Sequence, residues 1–159
     1  MVAIPVLAIG EAAVSLENDY LRIVIADDGR NLHFIDKTTG VDYCDKKDGA
    51  SFGRVTIAAR QYDASSVTRR GDQIEVTFGT SGVTAQLRPI VKKHHLVFEV
   101  LAMEGQGVES YTFVDIRLTL KGVPEEPFAA CALALNLKTN VVQIPQASSR
   151  LLATCYARF

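Results

Sequence analysis

The chain of 159 residues contains no tryptophan, three histidines, three cysteines and five prolines, and its net charge is −1. Each shortage excludes something. No apolar run approaches the roughly 20 residues that a membrane-spanning helix needs. Cys44, Cys131 and Cys155 are widely spaced, odd in number and without a CxxC pair. That pattern argues against a disulfide framework or a zinc site and predicts buried apolar thiols. A near-neutral chain has no global electrostatic attraction for nucleic acid or an anionic membrane, so neither is expected as a partner. P-loop, GxGxxG, HExxH and zinc-finger spacings are all missing, and no cofactor is expected. The absence of tryptophan weakens the case for a dedicated sugar-stacking platform. The first basic residue is Arg22, so the apolar residues 1–13 lack the basic start of a signal peptide. They read as a first strand, or as the start of a mature piece.

What is present is a globular composition, with 48% hydrophobic and 22% charged residues. The length fits one domain over residues 1–159, free-standing or cut from a longer multidomain protein. Period-two alternation runs almost throughout, and no stretch sustains a helical period. Ile74, Val76 and Phe78 alternate with Gln73, Glu75 and Thr77. A turn over 79–82 follows, and then Val83, Ala85 and Leu87 alternate with Thr84, Gln86 and Arg88, which makes a hairpin. Pro89 marks a break, a bulge or an edge position. Further strands are expected over 20–26, 31–36, 41–44, 54–60, 95–103, 110–121, 141–144 and 151–159, with one possible helical turn over 146–150. In the 54–60 strand Val55, Ile57 and Ala59 would point inward. In the 110–121 strand Thr112, Val114, Ile116, Leu118 and Leu120 would share a face. The sum is an all-β, antiparallel β-sandwich of about ten to thirteen strands with little helix.

Residues 127–137, PFAACALALNL, are apolar on both faces. They predict a central strand covered on both sides. Alternatively, the small-residue face formed by Phe128, Ala130, Ala132 and Ala134 docks on a neighbouring domain.

Few constellations point to chemistry. Residues 49–53 match GxSxG, but a turn precedes them and a strand follows, which is not the strand–turn–helix setting of a nucleophile elbow. Asp42, Asp45 and Asp48 crowd a loop that also holds Lys46 and Lys47, without the spacing of a calcium loop. His94 and His95 are adjacent, point to opposite faces of a strand and do not share a metal. With Lys92 and Lys93 they form a basic hairpin end. His33 reads as a surface or satisfied histidine. Glu125 and Glu126 sit in a loop between Pro124 and Pro127. No catalytic residue and no metal ligand is singled out.

Residues 14–43, VSLENDYLRIVIADDGRNLHFIDKTTGVDY, resemble a segment of the galactose-mutarotase-like "supersandwich" domains of large glycoside hydrolases and polysaccharide lyases. The likeness rests on Leu16-Glu17-Asn18, Tyr20-Leu21-Arg22, the turn at Gly29, Ile35-Asp36-Lys37, Thr39-Gly40 and Asp42-Tyr43. It implies a non-catalytic accessory domain beside a catalytic domain, in an exported, extracellular or periplasmic enzyme. The catalytic His and Glu of such domains have no match here, and complete supersandwiches are longer. Two alternatives accompany it. One is a free-standing carbohydrate-binding or mutarotase-like protein, with Tyr20, Tyr43, Tyr62 and Tyr111 as sugar-contact candidates. The other is a structural or interaction domain with no carbohydrate link, marked by self-association.

Overall fold

A computed structural model describes residues 12–46, 51–141 and 150–156. Among the described residues there are eleven strands and no helix. The strands are β1 Ala12–Glu17, β2 Leu21–Ala26, β3 Asn31–Asp36, β4 Gly53–Ile57, β5 Arg60–Arg70, β6 Gln73–Phe78, β7 Thr84–Val91, β8 Leu96–Glu104, β9 Val108–Arg117, β10 Thr139–Asn140 and β11 Arg150–Tyr156. All pairings are antiparallel. One sheet runs β1-β2-β3 and the other β10-β11-β9-β4-β5-β6-β7-β8. The architecture is the expected antiparallel, sandwich-like all-β fold.

The eight-stranded ladder is not flat. Only three residues, 105–107, join β8 to β9, yet five strand-to-strand steps separate them in the sheet. Five steps on a flat sheet would span about 24 Å, whereas four residue-to-residue links reach at most about 14 Å. The ladder therefore curls into two layers. The corner is β5, whose first residues pair with β4 and whose remainder pairs with β6. Its register shifts between Ala64 and Ser66, a bulge that bends the strand where it changes partner. Tyr111 of β9 meets Phe78 of β6 edge-on across the layers at 5.5 Å between ring centroids.

The small sheet closes over this body. Val67 donates its N–H to the Asp27 carbonyl and Phe52 donates to that of Gly29. Gly29 has φ +85°, and a Cβ there would lie 2.9 Å from both Ala64 Cβ and the Ala64 carbonyl oxygen. Glycine is what permits this approach. One buried cluster takes side chains from both sheets, including Val14, Ile25, Phe34, Val55, Val67, Ile74, Phe78, Leu87, Tyr111 and Ile116.

Several sequence expectations need correction. The 54–60 run ends as a strand at Ile57, because Ala58 and Ala59 turn with φ 48° and 62° and β5 starts at Arg60. Residues 41–44 make isolated bridges, Asp42 to Ile35 and Cys44 to Leu118, rather than a strand. In β9 the alternation breaks at Val114, which has φ 53°. Tyr111 and Phe113 thus join Ile116, Leu118 and Leu120 among the buried residues, and Thr112 does not share their face. Residues 127–137 form no strand and no central position. The expected helical turn and the 141–144 strand fall mainly outside the described residues, as do residues 1–11.

Candidate functional site

The sugar-contact candidates separate on burial. Tyr111 and Tyr43 lie in the core, so neither presents a ring to a ligand. Tyr43 stacks under Phe128 at 4.8 Å. Burial pushes the Tyr111 phenol well above its ordinary pKa, and its hydroxyl has no hydrogen-bond partner among the described residues. Tyr62 is half-buried with the Arg60 guanidinium 5.0 Å above its ring. Tyr20 is exposed and stacks on His94 at 5.0 Å.

The polar groups nearest to chemistry have structural work. The Ser51 hydroxyl donates to the Gly53 carbonyl at 2.7 Å and accepts the Ala64 N–H at 3.0 Å. It tethers two strands rather than facing a cleft. Asp42 Oδ1 accepts the N–H groups of Phe34 and Cys44, while Oδ2 meets His33 Nδ1 at 2.7 Å and Lys46 Nζ at 2.9 Å. Burial pushes the Asp42 carboxyl up, but these four contacts outweigh it and bring it down to about 2. Burial also pushes the Cys44 thiol up to about 11, which makes it inert. Asp48 lies outside the described residues, and no group of three or more potential metal ligands occurs among those described.

Sequence reading missed the strongest ionic cluster. The Asp115 side chain is 0% exposed and pairs with Arg54 at 2.8 Å and with Arg150. Arg54 lies on β4, Asp115 on β9 and Arg150 on β11, so the triad ties three neighbouring strands together. Asp115 directly follows Val114, where the β9–β11 register shifts. Spacing could not reveal the triad, because residues 54, 115 and 150 meet only through sheet register.

The remaining unusual feature is the segment 127–137. Its side chains still alternate in burial over 127–133, and residues 135–138 bend and turn, with Asn136 Oδ1 accepting the Lys138 N–H at 2.8 Å. Phe128, Ala130 and Ala132 pack against the core, with Phe128 between Tyr43 and Phe34. The face expected to dock a neighbour is therefore turned inward over most of its length, with Ala134 exposed. The opposite face carries Ala129, Cys131, Leu133, Leu135 and Leu137, all exposed. The leucines are 77%, 74% and 101% accessible. Cys131 is thus an exposed thiol, not the buried one expected. Among the described residues, no backbone hydrogen bond joins 127–137 to another strand.

The segment's end opens on a depression of about 520 Å³ lined by Leu137, Lys138, Thr139, Asn140 and Tyr156. These side chains offer apolar contact, one cation and hydrogen-bonding groups. No helix among the described residues is long and apolar enough to cross a membrane. Comparison with family models, curated proteins and solved structures finds no match. The likeness of residues 14–43 to supersandwich domains rests on those residues alone.

Proposed function

We propose that the chain is a non-catalytic β-sandwich module that works by docking, as an accessory domain does beside a larger neighbour. One observation carries this reading: Leu133, Leu135 and Leu137 stand exposed on a segment that joins no sheet among the described residues. Exposed apolar side chains grouped in this way mark interaction surfaces. The neighbour's link to carbohydrate comes from the supersandwich resemblance, and a free-standing sugar-binding protein is the alternative.

A double variant, Leu133→Lys with Leu135→Lys, tests the reading. Leucines held for a partner add nothing to the fold of the isolated chain, so its melting temperature should stay within a degree or two of wild type. A fall of about 10 °C or more would place those leucines in the chain's own core and end the docking reading. A panel of oligosaccharides in the same melting assay should leave the wild type unmoved. A glycan that raises its melting temperature would favour the sugar-binding alternative.

A further inference from the structure

We infer that the free edge of β8 takes up an extended acidic peptide, which adds as a further antiparallel strand and sets its C-terminal carboxylates on the basic turn between β7 and β8. This surface is separate from the leucine segment, and either can fail without the other. The edge is the first observation. β8 ends the eight-stranded ladder and pairs with β7 alone among the described residues. Its backbone N–H and C=O groups that face away from β7 are a template for one more strand. The core also stops short there. Leu87 of β7 is fully buried, whereas Val100 opposite it, with Leu96 and Phe98 on the same face, is only partly buried. A further strand would finish covering them. A register shift leaves Leu101 without a β7 partner, and this bulge confines regular pairing to 96–100, the half beside the turn.

Charge names the occupant. Lys92, Lys93, His94 and His95 follow one another in the turn that opens β8, and all four are exposed. Arg22, Lys37, Arg70 and Arg88 each meet a glutamate, but no carboxylate among the described residues pairs with Lys92 or Lys93. Asp19 is the one acid in the adjoining β1–β2 turn, and Glu99 within the edge is taken by Arg88 at 2.7 Å. The basic turn is fixed from two sides. The Lys92 N–H donates to the His95 carbonyl at 3.0 Å, Asn18 Nδ2 donates to the Lys92 carbonyl at 3.2 Å, and His94 stacks on Tyr20. Glu104 closes the far end of β8, so the edge runs from positive to negative. A strand added antiparallel to β8 ends beside the turn, where its last carboxylates meet the lysines. A nucleic acid fits less well, because it needs a longer run of cations and has no strand backbone to offer.

Fluorescence anisotropy of the full chain with labelled synthetic peptides tests this. The probe has alternating valine and threonine residues followed by three glutamates at its C-terminal end. It should bind saturably, more weakly as salt is raised, and hydrogen exchange should show the 96–100 amides gaining protection. Lys92→Glu with Lys93→Glu should weaken binding about tenfold or more while the melting temperature stays in place, because both side chains are exposed. The same peptide with alternate backbone nitrogens methylated should lose binding, since it can no longer donate to the edge. Equal binding by the methylated peptide, or by a DNA oligonucleotide of the same charge, would show plain attraction of charge and overturn strand addition. Equal binding by a peptide with its glutamates first would overturn the antiparallel placement, and equal binding with lysines in their place would overturn the acidic occupant. No binding by any of these peptides, with the 96–100 amides unchanged, would overturn the inference and leave the leucine surface untouched.

Discussion

At the residue scale, the buried Asp115 is the most consequential polar group. Its charge is fully out of water and is balanced by Arg54 and Arg150. Removing one member of a buried ion cluster strands the others without compensation. Asp115→Asn should lower the unfolding free energy by about 3 kcal/mol, at the lower end of the usual range because both arginines keep some solvent. Urea denaturation would show this as a reduced midpoint at constant slope. Asp42 gives a pH signature. Its folded-state carboxyl is depressed to about 2, so its contribution is complete above the ordinary carboxylate range and is lost as pH falls towards 2. Contacts partly shared with solvent limit it to about 1–2 kcal/mol. Asp42→Asn should flatten the acid limb of stability between roughly pH 5 and 2 relative to wild type.

At the element scale, what was legible in the sequence depended on local pattern. The β6–β7 hairpin shows why: clean alternation on both arms and glycines in the turn fix its register, with Ile74 opposite Leu87 and Val76 opposite Ala85. Pro89 sits beyond the β6 pairing and, among the described residues, pairs with Phe98 of β8 alone, a position that suits its missing N–H. Illegible features were those without a local residue signal. Ala58-Ala59 adopts two left-handed positions that Asn-Gly usually marks, so strand and turn read as one run and β5 went unseen. Val114 is β-branched in a left-handed conformation, and no propensity scale announces such a bulge. Ala58→Asn with Ala59→Gly should relieve the turn and raise stability by about 1 kcal/mol, read as a higher denaturation midpoint. Gly29→Ala should do the reverse, because both its φ and its contact with Ala64 forbid a Cβ.

At the scale of the whole molecule, the all-β class was written in the alternation, whereas the curl of the large sheet was not. The curl follows from pairing β9 with β4 while β8 stays three residues away along the chain. Residues 127–137 misled for a related reason. Apolar side chains on both faces imply two covers, but a sequence cannot say whether both covers belong to the same chain. The inner face is covered by Tyr43 and Phe34, and the outer face is open. Ala132→Arg should accordingly disturb this molecule's own packing rather than a partner's, with a lower melting temperature and faster proteolysis near residue 130.

The place of β11 has a consequence for how the protein is made. This strand follows the ten others along the chain, yet it lies inside the ladder, between β10 and β9, and carries Arg150 to Asp115. Until it is synthesised, β9 offers a bare edge and the buried carboxylate has one arginine in place of two. A nascent chain halted before Arg150 would hold nearly all of its core residues and still present the bare β9 edge.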